Sequence, residues 1–213
     1  LILFVYYGRN FPRPEKFTES TPSQYTKIYD RTGKVLLYEI YGEEKRTCFS
    51  LSEMPKHLID ATIAAEDINF YEHFGLDFRG ILRSISINIR LGGPVYGGST
   101  ISQQLIRSTF LTLEKTPERK IREIILTLEM ERRYSKDQIL EWYLNQIPLG
   151  QNAYGMEAAS QTYFQKSVRE ITLAEAATLV ALIQAPTFLS PYGQNLEMLI
   201  AKKNIVLEND CLL

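Results

Sequence analysis

Two glutamates stand in unusual company. Glu66 lies in the run AAEDINFYEHFG with Asp67 beside it, and Glu141 lies in ILEWYLN between Leu140 and Trp142. Apolar surroundings desolvate a carboxylate and raise its pKa, which suits a general acid or base near neutral pH. For any single glutamate the commoner reading is an exposed helical side chain paired with Lys or Arg. Between Asp77 and Glu114 there is no acidic residue, yet Arg79, Arg83, Arg90 and Arg107 fall there. On a helix Arg79, Arg83 and Arg90 lie within about 40° of one another. Phe78, Ile81, Leu82, Ile85 and Ile89 cover the other side. Such a basic amphipathic helix either packs on a core, the usual outcome and the expectation here, or lies against an anionic surface or ligand. The glycine-rich run from Gly92 to Gly98 leads into Ser99-Thr100-Ile101-Ser102-Gln103-Gln104. Ser/Thr at a helix start leaves amide N–H groups aimed outward, a setting for anions, although no GK[ST] follows and a mobile connection explains most such loops.

The rest of the composition narrows the chemistry further. The chain has 213 residues, 24 Lys+Arg against 25 Asp+Glu, a net charge of −1 and 45% hydrophobic residues. That is an ordinary folded protein able to bury a sizeable core, and it argues against disorder or a nucleic-acid-coating role. Two cysteines, Cys48 and Cys211, and two histidines, His57 and His73, give no disulfide framework, zinc pattern or Ser-His-Asp triad. Chemistry here runs on carboxylates, amides, arginines and lysines.

These residues need elements to hold them. The apolar LILFVYY at the start is shorter than the roughly 20 residues that span a bilayer. It reads as the end of a membrane anchor (1–8) or as a frayed, core-packed terminus. Residues 9–50 read as a linker, marked by Pro12, Pro14 and Pro22, and a β-hairpin of Lys27–Tyr29 and Val35–Tyr41 around Asp30-Arg31-Thr32-Gly33. Residues 51–195 form one mostly α domain, and 196–213 a C-terminal helical piece leading to a downstream region. Pro55 marks a helix start with a run to Tyr71. Capping boxes are expected at Ser135-x-x-Gln138 and Thr172-x-x-Glu175, the latter opening an apolar helix over 173–184 that is buried in the core. Much of 115–137, including Arg119, Lys120, Arg122 and Glu123, reads as a salt-bridged helix face.

Five blocks in order resemble the peptidoglycan glycosyltransferase (transglycosylase) family of class A penicillin-binding proteins and monofunctional cell-wall polymerases. They are Glu66-Asp67-x-x-Phe70-x-x-His73-x-Gly75, Gly98-Ser99-Thr100-Ile101-Ser102-Gln103-Gln104, Arg119-Lys120-x-x-Glu123, Lys136-x-x-Ile139-Leu140-Glu141-x-Tyr143-Leu144-Asn145, and Gly150-x-x-x-x-Gly155 continuing to Tyr163-Phe164. The resemblance implies a mostly α, lysozyme-like glycosyltransferase domain with a small N-terminal β element and a cleft above a membrane-embedded lobe. It implies polymerisation of lipid II into β-1,4 glycan strands, with inversion and release of undecaprenyl pyrophosphate. On that resemblance Glu66 is the general base and Glu141 an electrostatic and positioning residue. Ser99, Thr100, Gln103, Arg83, Arg107, Lys115, Arg119 and Lys120 bind substrate, while Asp67, Phe70, His73, Gly75, Glu123 and Asn145 are architectural. A divalent cation, Mg or Mn, is expected with the substrate pyrophosphate, its protein ligands unknown. The expected partners are lipid II, the lipid-linked glycan chain, the membrane, a fused transpeptidase domain and other cell-wall synthesis proteins, with no nucleic acid. The expected location is the outer face of a bacterial cytoplasmic membrane.

There are departures from the family pattern. Arg107 and Lys115 exchange the usual Lys and Arg, and Gln165 replaces the glycine of Tyr-Phe-Gly-Lys, a substitution that strains the backbone if φ there is positive. The rivals are a lysozyme-like or lytic hydrolase, and a non-catalytic membrane-tethered peptidoglycan-binding module. A helix-turn-helix reading of 119–145 fails because acids interleave with the bases.

Overall fold

The computed structural model describes residues 26–29, 36–40, 48–91, 98–111 and 116–210. Strands β1 (Thr26–Tyr29) and β2 (Leu36–Ile40) pair antiparallel, Thr26 opposite Ile40 and Ile28 opposite Tyr38, with a register irregularity after Ile28. Their connecting turn and the expected anchor and linker at 1–25 lie outside the described residues.

Among the described residues eight α-helices follow: α1 (Lys56–Glu66), α2 (Phe78–Leu91), α3 (Ile101–Phe110), α4 (Pro117–Arg133), α5 (Lys136–Gln146), α6 (Met156–Phe164), α7 (Leu173–Ile183) and α8 (Leu196–Asp210). This bears out the mostly α expectation. Their starts are written in local chemistry. Thr100, Ser135 and Thr172 each accept the N3 amide while Gln103, Gln138 and Glu175 bond back to the cap, and Thr116 caps α4 ahead of Pro117. Helix α7, apolar nearly all round, buries Ala176, Ala177 and Leu179 through Ile183, as its sequence requires. It packs against α1 and α8, and α3 packs against α4 and α5. Leu58, Phe70, Leu105, Leu140, Tyr143 and Leu179 belong to one continuous core. Helix α8, set apart from the domain in the sequence reading, inserts Leu199 and Val206 into that core.

Two expectations need correction. Helix α1 stops at Glu66 rather than running to Tyr71, because Asp67 leaves helical geometry at φ −162°, ψ 73° and spends its side chain on tertiary bonds described below. Helix α2 does not bury its apolar face on the core. Phe78, Leu82 and Ile89 are 69%, 68% and 76% exposed. All three lie within about 40° on the helix, roughly 100° round from the arginines. Among the described residues no helix is long and apolar enough to cross a membrane.

Candidate active site

The stop at α1 leaves Glu66 on the last helical residue, where the backbone dipole disfavours negative charge. Its carboxylate receives two side-chain amides, Gln104 Nε2 at Oε2 (2.8 Å) and Gln184 Nε2 at Oε1 (3.2 Å). Burial pushes its pKa above the usual carboxylate range. Those amides and the positive charges of Lys202 and Arg107 pull the other way without cancelling the rise. Behind it, the fully buried Tyr143 donates its hydroxyl to Gln104 Oε1 at 2.9 Å.

Asp67 fastens this end of α1 to the next block. Its Oδ2 accepts the amide of Ile101 at 3.0 Å, at the start of α3, and both oxygens contact His73 Nε2 at 2.9 and 3.0 Å. Gly75 N donates to His73 Nδ1 at 3.1 Å, so the ring proton sits on Nε2 and points at Asp67. Thr100 Oγ1 in turn donates to Gly75 O at 2.7 Å. Gly75 adopts φ +81°, and a Cβ there would lie 2.9 Å from Thr127 Cγ2 on α4. Phe70 is fully buried with Lys136 Nζ 4.5 Å from its ring centre.

The outcome is a cleft of about 320 Å³ beside Glu66, walled by Asp67, Arg83, Gly98, Ser99 and Thr100. Asp77 also lines it. Burial pushes that carboxyl up, but the amides of Gly80 and Arg79 and the Asn69 side chain outweigh burial and hold it below the usual range. Arg83, Ser99 and Thr100 are thus brought to Glu66, with Thr100 committed to capping. Arg107 is exposed and close enough to act on the Glu66 charge.

Other residues named from the sequence sit elsewhere. Gln103 is 2% exposed and belongs to the Thr100 cap: its Oε1 accepts Thr100 N at 3.1 Å. The amide that reaches Glu66 is that of Gln104. The Thr-x-x-Gln spacing is itself a capping signal and could have separated the two glutamines. Glu141 does not line the cleft. Its Oε2 accepts Leu51 N at 2.8 Å, while Asn145, one turn on, exchanges two bonds with the backbone of Phe49. Together they hold the segment leading into α1. Arg119 and Lys120 do not line the cleft either. Both bond Glu123, whose side chain is 0% exposed while that of Lys120 is 43% exposed, so the expected salt-bridged helix face is present with its acid buried. Arg119 Nε is buried without a hydrogen-bond partner among the described residues. Lys115 lies outside those residues. Gln184 and Lys202 approach Glu66 from the far end of the chain, and no local motif marks them.

No group of three or more His, Cys, Asp or Glu is placed to hold a metal among the described residues. Both oxygens of Asp67 are already occupied, so the carboxylate beside Glu66 does not fit a metal-ligand role.

A family model described as Transglycosylase matches residues 33–210. Penicillin-binding protein 1A of Aquifex aeolicus is 44% identical over 208 residues, 98% of this chain and 28% of that protein. Its namesake from Haemophilus influenzae is 45% identical over 189 residues, 89% of this chain and 22% of that protein. The chain thus spans about a quarter of the length of these curated relatives. A crystal structure of the Haemophilus influenzae protein aligns over 82% of this chain and 16% of that chain, at 26% identity and a TM-score of 0.44.

Proposed function

Because the chain belongs to the transglycosylase family and is therefore a glycosyltransferase, we propose that it polymerises lipid II into β-1,4 glycan with Glu66 as general base. The observation that carries the reading is the Glu66 carboxylate: desolvated, held by two amides, and open to a cleft that also presents Arg83 and Ser99. In the step, the acceptor 4-hydroxyl oxygen attacks the donor's anomeric carbon from the face opposite the leaving group. Its proton passes to a Glu66 oxygen, and the bond to pyrophosphate breaks with its electron pair leaving on the phosphate oxygen. Configuration inverts, and Glu66 returns its proton to solvent. Raised basicity strengthens Glu66 as an acceptor. Pyrophosphate needs no general acid, only countercharge, for which Arg83 of the cleft and Arg107 beside Glu66 are available groups. A divalent cation travelling with the pyrophosphate supplies further countercharge.

The lipid tail of such a substrate requires a membrane nearby. We assign that contact to α2, whose exposed Phe78, Leu82 and Ile89 are flanked by Arg79, Arg83 and Arg90. Apolar side chains entering the acyl boundary with arginines at headgroup level match an interfacial helix. The same reading places the domain on the outer face of a bacterial cytoplasmic membrane, working beside a transpeptidase domain. Glu141 then positions the lead-in to α1 rather than touching substrate.

The test is polymerisation of labelled lipid II in detergent with a divalent metal, wild type beside Glu66→Gln. Long glycan from wild type alone is the expected result. Glycan from both overturns the assignment of the base, and muropeptides released from finished glycan would move the hydrolase to first place.

A further inference from the structure

We propose that Tyr143 is a positioning residue for Glu66, acting through Gln104: its buried hydroxyl fixes the Gln104 amide so that Nε2, not Oε1, faces the carboxylate. The inference rests on the reading of Glu66 as the base. Tyr143 lies on α5 with no surface exposure, and two bonds of 2.9 and 2.8 Å link its hydroxyl through Gln104 to Glu66. The two ends of an amide play opposite roles. An ionised carboxylate only accepts, so Glu66 requires the nitrogen end, and the oxygen end left behind needs a donor. Tyr143 is that donor, since burial, then the negative charge of Glu66, push its pKa well up and keep it protonated.

Removing the hydroxyl leaves Gln104 Oε1 as a buried acceptor with no partner. Rotating the terminal amide then brings oxygen toward Glu66, which repels the ionised form and accepts a hydrogen bond from the protonated one. Tyr143 therefore biases Glu66 toward the state that can take a proton. The other groups acting on this carboxylate are Arg107 of α3, Lys202 of α8 and Gln184 just beyond α7, with Asp67, Asp77 and Arg83 around the cleft. None of these sets the orientation of the Gln104 amide.

The experiment is a carbon NMR titration of the Glu66 side chain, assigned with Glu66→Gln, on wild type and Tyr143→Phe, beside the pH profile of lipid II polymerisation. The expected result is a Glu66 midpoint moved to higher pH and an acid limb that moves in step. On the acid side kcat falls by roughly five- to tenfold, about the net worth of one hydrogen bond between neutral groups, and it recovers on the alkaline side with KM little changed. A lowered thermal midpoint with an unmoved Glu66 titration overturns the proposal. Gln104→Met is the second probe and carries the test alone should Tyr143→Phe not fold. It should reproduce the shift, and the double variant should shift no further. Additive shifts overturn the relay. A titration that moves while the pH profile stays in place upholds the relay and overturns Glu66 as the base.

Discussion

Asp67 Oδ2 accepts the amide of Ile101 at 3.0 Å, so the residue after Glu66 caps the helix that carries Gln104. Helix α1 ends and α3 begins on one carboxylate, and the same carboxylate orients His73. Asp67→Ala removes that cap and leaves the His73 Nε2–H without its acceptor. The expected cost is about 2 kcal/mol or more of unfolding free energy, read from urea melts. Polymerisation should fall with it, because Gln104 loses its fixed relation to Glu66. An unchanged melt would show that the Asp67 bonds contribute nothing net.

Glu66 is held at the expense of stability. Its native pKa is raised, so the native state binds more protons than the unfolded chain between the ordinary carboxylate value and the raised one. Stability therefore falls as pH climbs through that window and stays lower above it. Glu66→Gln removes the charge, and the exposed Gln184 amide can turn to meet the new side chain. The variant's thermal midpoint at pH 7.5 should exceed that of wild type, by roughly 2–4 °C for each kcal/mol of relief, and the gap should close below the ordinary carboxylate pKa. A midpoint lower than wild type at pH 7.5 would contradict the desolvation account.

How far these features were legible follows from the range over which each is encoded. The caps at Ser135 and Thr172 and the buried α7 are local patterns, and the structure has them as read. The end of α1 was not legible, because what stops the helix at Glu66 is the tertiary use of Asp67, whose partner amide lies 34 residues on. Gln184 reaches Glu66 across 118 residues, a pairing no spacing rule conveys. The Glu66 block singled out the carboxylate that the structure desolvates beside the cleft, while of the two adjacent glutamines it is Gln104, not Gln103, that bonds it. Helix α2 showed the opposite failure: its periodicity was plain, but periodicity alone does not say whether the apolar face meets a core or a bilayer.

Gln165 follows α6 at φ 56°, ψ 33°, the left-handed region that favours glycine. The strain anticipated from its departure from Tyr-Phe-Gly-Lys is therefore present. A side chain in this conformation costs about 1 kcal/mol relative to glycine. Gln165→Gly should raise stability by about that amount with polymerisation unchanged, as the residue only closes the end of α6. Calorimetry on the pair settles it, and a lower midpoint for the glycine variant would mean that unfolded-state entropy outweighs the relieved strain.

The membrane assignment of α2 makes a separable prediction. Leu82 is 68% exposed, so Leu82→Asp removes little packing from the fold and should leave the thermal midpoint close to wild type. Its effect should appear only where a bilayer is present. Burying one leucine side chain is worth about 1.5–3 kcal/mol, so affinity for vesicles of anionic phospholipid should drop at least about tenfold in a sedimentation assay. Replacing Arg79 and Arg90 with Gln should weaken binding to anionic vesicles by roughly fivefold per charge, with little change on neutral ones. Added salt should reproduce the arginine effect but not the leucine effect, because screening acts on charge and not on apolar burial. If Leu82→Asp binds vesicles as wild type does, the exposed face of α2 is not the membrane contact.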